Sequence, residues 1–139
     1  MIICGAILFQ VSFICAAPTN KERVIVLHGI ARSSDSMETL AEFLGEQSYE
    51  VLNIDYPSTD HAMRALVDIV QHKINVTQQD PAQKIHFVGY SMGSLIVRGI
   101  LFKYRPYNLG RVVMLGPPNN GSEVADFFKN FFLYKQIYG

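Results

Sequence analysis

The sequence predicts an α/β protein with a doubly wound, mostly parallel sheet. Three observations predict it. Short apolar runs stand at residues 24–27, 51–54, 85–88 and 112–115, each followed by glycine, proline or a polar turn. Runs this short and continuous suit strands covered on both faces. Between them, apolar residues recur at helical spacing. Strands alternating with helices fold into a parallel sheet with right-handed crossovers and helices on both sides.

The N-terminus stands apart from this pattern. Residues 1–17 are almost wholly apolar, broken by Gln10 and Ser12, and are followed by polar residues 18–23. The run is shorter than the ~20 residues of a spanning helix. It reads as a secretory signal peptide, placing the protein outside the cell or in the cell envelope. An uncleaved N-terminal anchor is the alternative, and would associate the protein with a membrane. Both cysteines, Cys4 and Cys15, lie in this segment. The remaining chain therefore has no disulfide framework, thiolate metal site or cysteine nucleophile.

Residues 23–139 read as one domain. The first strand, 24–27, ends at His28-Gly29. Polar residues 32–36 follow, with Asp35 and Glu38 spaced as a capping box. Met37, Leu40, Ala41 and Leu44 then share one helix face. The second strand, 51–54, closes at Asp55-Tyr56-Pro57, and Ser58 or Thr59 is placed to cap the next helix. That helix carries the stripe Met63, Leu66, Val67, Val70 and Ile74. After the third strand, 85–88, the run from Met92 to about Tyr104 is apolar nearly all round, as a deeply packed helix would be. The fourth strand, 112–115, precedes a last helix with Ser122 as cap and Val124, Phe127, Phe128, Phe131 and Phe132 along it. With 12 basic and 12 acidic residues, the chain has no net field pointing to nucleic acid or to an anionic membrane. No metal-ligand cluster or phosphate loop is visible. Lys103 and Arg105 read as solvated residues at a helix end, and the sequons at Asn75 and Asn120 carry little weight.

The chemistry centres on Gly89-Tyr90-Ser91-Met92-Gly93. The G-x-S-x-G pattern is weak alone, but here a buried strand precedes it and a helix follows. That is the setting of a nucleophile elbow, which raises a serine hydroxyl above the sheet's C-terminal edge. Gly89 and Gly93 are small because strand and helix approach closely. Acyl transfer also needs two N–H donors for the oxyanion. Met92, following the serine, is one source. The loop Leu27-His28-Gly29-Ile30 has the form required of the other. His28 is expected to brace that loop by hydrogen bonding rather than to move protons.

These stretches, with Asn53-Ile54-Asp55-Tyr56-Pro57, Arg98 and residues 111–124, resemble the lipase- and esterase-like branch of the α/β-hydrolase superfamily. The resemblance implies hydrolysis of small-molecule or lipid esters through an acyl-enzyme, without a cofactor. It implies Ser91 as nucleophile, with Ile30 and Met92 supplying the oxyanion hole. Ser94 departs from the glycine usual at its position. The branch orders its triad as serine, acid, histidine. All four histidines, His28, His61, His72 and His86, precede Ser91, and the later carboxylates Glu123 and Asp126 begin a helix. The expectation is a hydrolase fold incomplete at its C-terminus, lacking the triad acid and histidine and nearly inactive alone. Two other readings fit the same residues: a non-catalytic remnant binding a lipid or protein partner, and an acyltransferase.

Overall fold

The computed structural model describes residues 21–78 and 80–119. The apolar segment at 1–17 and the aromatic helix expected after Ser122 lie outside the described residues. Four strands run β1 Arg23–Leu27, β2 Glu50–Ile54, β3 Ile85–Tyr90 and β4 Leu109–Leu115. All pair in parallel, in the order β2-β1-β3-β4. Three helices connect them: α1 Glu38–Glu46, α2 Met63–Thr77 and α3 Met92–Lys103.

Strand alternation divides the core between the two faces of the sheet. Ile25 and Leu27 of β1 pack with Leu66, Val67, Val70 and Ile74 of α2 and Ile96, Val97 and Ile100 of α3. Val24 and Val26 point the other way, with Val88, against Met37 and the α1 residues Leu40 and Leu44. The helices cover both faces, so the sheet is doubly wound as the sequence predicts.

Three local expectations are corrected. Neither Ser58 nor Thr59 caps α2; Ala62 holds the N-cap position, and Ser58 is occupied elsewhere. Asp35 and Glu38 form no capping box, because a 3₁₀ turn, Ser34–Met37, precedes α1 and neither N-cap makes a side-chain bond. The fourth strand is not buried on both faces. Val112 and Met114 pack against the α2–α3 core, whereas Leu109, Val113 and Leu115 are exposed. β4 is an edge strand of the described sheet, and α1 on that face packs over β1 and β2.

Candidate active site

A single residue, Ser91, joins β3 to α3. Its backbone is held at φ 50° and ψ −116°. L-residues rarely adopt a positive φ, and such strain costs roughly 1–3 kcal/mol. The surrounding bonds hold it there. The Ser91 N–H donates to the Leu115 carbonyl at 2.8 Å, and its own carbonyl accepts the Ser94 N–H at 3.0 Å. The next residue, Met92, is buried, while Ser91 itself is partly exposed.

The two glycines make this bend possible. A Cβ at Gly89 would lie 2.6 Å from the Ser94 nitrogen. One at Gly93 would lie 2.5 Å from the Leu27 carbonyl oxygen and 2.7 Å from that of His28. Both obstacles are backbone, so neither can move aside. The start of α3 therefore rests directly on the end of β1. Ser94, fully buried, donates its hydroxyl to the Gly89 carbonyl at 2.7 Å. The departure from glycine at this position thus supplies an extra tie between helix and strand.

The loop after β1 lies against the elbow. A Cβ at Gly29 would stand 3.1 Å from the Tyr90 ring and 3.4 Å from the Ser91 Cβ. His28 is fully buried and stacks on Tyr56, with ring centroids 4.1 Å apart. Its Nε2 accepts the Tyr56 N–H at 3.3 Å, which leaves the Nδ1 proton to be donated to the Gly29 carbonyl at 2.8 Å. The Tyr56 hydroxyl donates to the His28 carbonyl. Burial pushes that hydroxyl's pKa up, with the Asp55 charge adding to the effect, so it stays a donor. Farther along, Ala31 has φ 54° and donates its N–H to Ser58 Oγ at 3.0 Å. Tyr56 and Ser58, on the segment after β2, thus fix the loop from both sides of Ile30. The N–H groups of Ile30 and Met92 have no hydrogen-bond partner among the described residues.

No histidine among the described residues bonds to Ser91. His28 is engaged as above. His86 is buried in β3, paired through Nε2 with Glu22 at 2.9 Å and accepting the Arg111 N–H on Nδ1 at 2.9 Å. β4 carries an extra residue there, and the imidazole takes the place of a strand acceptor. His61 and His72 are exposed, before and on α2. Beside the elbow a cleft of about 350 Å³ is walled by Met37, Leu40, Tyr90 and Leu115, with Arg32 and Ser36 at its polar side.

Sequence reasoning passed over Tyr56 and Ser58 as functional supports. The only signal for Tyr56 was an aromatic residue with a polar tip closing a buried strand, which needs a partner for its hydroxyl.

Comparison with known proteins agrees with this architecture. Residues 23–138 match the family model for palmitoyl protein thioesterase. The chain is 23% identical over 127 residues to palmitoyl-protein thioesterase 3 of Dictyostelium discoideum, covering 87% of this chain and 44% of that protein. It therefore spans less than half the length of that relative. Among solved structures, it superposes on a Bacillus licheniformis lipase in propeptide form with a TM-score of 0.66 and 26% identity, covering 78% of this chain and 25% of the lipase. An extracellular α/β-hydrolase from a Paenibacillus species gives a TM-score of 0.67 at 14% identity, covering 84% of this chain and 52% of that one. With the sheet order and the strand-to-helix bend in place, the family match over nearly the whole described region shows that the chain belongs to the palmitoyl protein thioesterase family, on the α/β-hydrolase fold.

Proposed function

We propose that this chain carries the nucleophile and oxyanion half of a serine hydrolase that cleaves long-chain acyl thioesters and related carboxylic esters. The observation that carries the reading is the Ser91 bend: a partly exposed serine at positive φ, between strand and helix, in contact with the Gly29 loop. The acyl group is inferred from the name of the Dictyostelium relative.

In this reading Ser91 Oγ attacks the carbonyl carbon of the thioester. The oxygen takes up the negative charge and is met by the N–H groups of Ile30 and Met92. The positive end of α3 adds to that stabilisation. Collapse expels the thiol and leaves an acyl group on Ser91, which water then removes. Gly89 and Gly93 permit the bend, and His28 and Gly29 set the loop. The cleft of Met37, Leu40, Tyr90 and Leu115 offers an apolar wall beside the nucleophile. The described residues supply no general base. An exported protein, secreted or held in the cell envelope, is in keeping with the extracellular Paenibacillus neighbour.

The test is a serine-directed fluorophosphonate applied to protein from its natural source, with the adduct located by peptide mass spectrometry. The expected adduct is on Ser91 and is lost in Ser91→Ala. An adduct elsewhere, or unchanged thioester turnover in Ser91→Ala, would overturn the reading.

A further inference from the structure

His86 takes no part in the acyl-transfer reading, yet β4 is built around it. Ile85 faces Leu109 and Phe87 faces Val112, so Gly110 and Arg111 together oppose His86. That is the two-against-one count of a β-bulge. The imidazole lies directly over the bulge. A Cβ at Gly110 would stand 2.5 Å from the ring's Cε1 and 2.6 Å from its Nδ1. The Arg111 N–H is accepted by that Nδ1 at 2.9 Å.

The bulge decides what reaches the serine bend. Beyond it, Val112 to Leu115 keep step with Phe87 to Tyr90. Side chains alternate along a strand, so a slip of one residue would turn Val112 and Met114 out of the core. It would also displace Leu115, whose carbonyl accepts the Ser91 N–H at 2.8 Å and which lines the cleft beside Tyr90.

The bond to Arg111 exists in one protonation state. Nδ1 accepts only while it carries no proton, so Nε2 holds the proton of the ring and donates it to Glu22 at 2.9 Å. A second proton, on Nδ1, would set donor against donor. Glu22 precedes β1, and its other oxygen pairs with Lys84, before β3, at 3.0 Å. Tyr49, before β2, meets the imidazole edge-on with ring centroids 5.7 Å apart. These three groups stay beside His86 whether or not β4 is docked, so their influence on the charged ring largely cancels between the two states. Arg111 belongs to β4 and does not cancel: its N–H and its positive charge both oppose an imidazolium in the docked strand.

We propose that His86 is a positioning residue for Ser91 and an acid-sensitive latch on β4. Protonation of the ring at Nδ1 favours release of the strand, and with it the Leu115 carbonyl from the Ser91 N–H. The seat of Gly93 on β1 persists, because its contacts are with Leu27 and His28 and not with β4. As regulation of catalysis the proposal rests on Ser91 being the nucleophile; as a statement about β4 it does not.

Hydrogen exchange of the full chain, followed residue by residue by NMR, tests it. An edge strand opens as a unit, so the amides of Arg111 and Ser91 report the same event. From about pH 8 to about pH 5, where imidazole ordinarily gains its charge, both protection factors should fall about tenfold, the scale of one hydrogen bond. The amide of Val70, inside α2, should keep its protection. In His86→Asn the side-chain oxygen stands where Nδ1 stood and does not titrate, so protection at Arg111 and Ser91 should stay level. Fluorophosphonate labelling of Ser91, taken as the ratio of unaltered protein to His86→Asn, should fall over the same range, because the ratio removes every titration the two proteins share. The proposal is overturned if protection at Arg111 in the unaltered protein is independent of pH, if Ser91 keeps its protection while Arg111 loses it, or if Val70 falls in step. It is overturned as well if His86→Asn falls like its parent; should that variant not fold, the first three outcomes still decide. A flat labelling ratio would overturn the positioning role. If Ser91 is labelled at no pH, the nucleophile reading falls instead, and exchange alone judges the latch.

Discussion

The Leu115 carbonyl, at the last residue of β4, accepts the N–H of Ser91 at 2.8 Å. This edge strand thereby holds the bend that β3 and α3 create. Ser91 sits at φ 50°, where a Cβ is strained and its absence is not. Ser91→Gly should therefore raise the unfolding free energy, by up to ~1 kcal/mol once the entropy of the added glycine is set against the relief. Ser91→Ala keeps the Cβ and should give no gain. Both remove the hydroxyl, so urea titration of the two variants separates strain from chemistry.

Gly93→Ala should be among the most damaging single changes. The added methyl would meet the Leu27 and His28 carbonyl oxygens at 2.5 and 2.7 Å, both on backbone. Separating α3 from β1 to relieve this should cost ~3 kcal/mol. Equilibrium unfolding followed by circular dichroism measures it. Fluorophosphonate labelling of Ser91 should fall even where the variant stays folded.

Tyr56→Phe retains the stack on His28 and removes only the hydroxyl. It leaves the His28 carbonyl without its donor from Tyr56, in a fully buried place. A loss of ~1–2 kcal/mol is expected. If the loop positions the Ile30 amide, the acylation rate constant should fall beyond what the fraction unfolded explains, with KM little changed. An unchanged rate constant for the folded fraction would limit Tyr56 to stability.

Acid should unfold the protein partly through Glu50. Its carboxyl accepts from Gln83 Nε2 at 2.6 Å and pairs with the buried guanidinium of Arg23. The Gln83 hydrogen bond, and then Arg23, hold its pKa below the ordinary glutamate value. A carboxylate lowered in the folded state adds stability above its unfolded pKa of roughly 4.3, and that share is lost as pH falls through the folded value. Glu50→Gln should lower stability at neutral pH and flatten the dependence below about pH 4.5. Urea midpoints measured across the acid range test this.

The parts of the fold carried by local pattern were visible in the sequence. The stripe at Leu66, Val67, Val70 and Ile74 and the run at Val24–Leu27 mark their elements because periodicity is a property of neighbours in the chain. The strand-to-helix bend at Ser91 was visible for the same reason, since the motif and its flanking elements are contiguous. What was hidden depends on distant partners. Ser58 has the chemistry of a helix cap, yet its oxygen is taken by the Ala31 N–H, 27 residues earlier. Tyr56 meets His28 only when β2 lies beside β1. Ser94 looked like a minor departure from glycine because its acceptor, the Gly89 carbonyl, is a main-chain atom that any sequence would offer. The exposure of Val113 and Leu115 follows from where β4 lies in the sheet, which no property of an apolar run encodes.

The direct seating of Gly93 on the Leu27 and His28 carbonyls has a consequence for how the molecule melts. No side chain cushions the two elements, so the serine bend cannot loosen while β1 and β3 remain paired. Amide protons at the ends of both strands should exchange with solvent in one slow class, and the bend at Ser91 should be lost in the same transition that dissolves the sheet. Heat would then leave no intermediate in which the strands survive and the strand-to-helix corner has already come apart.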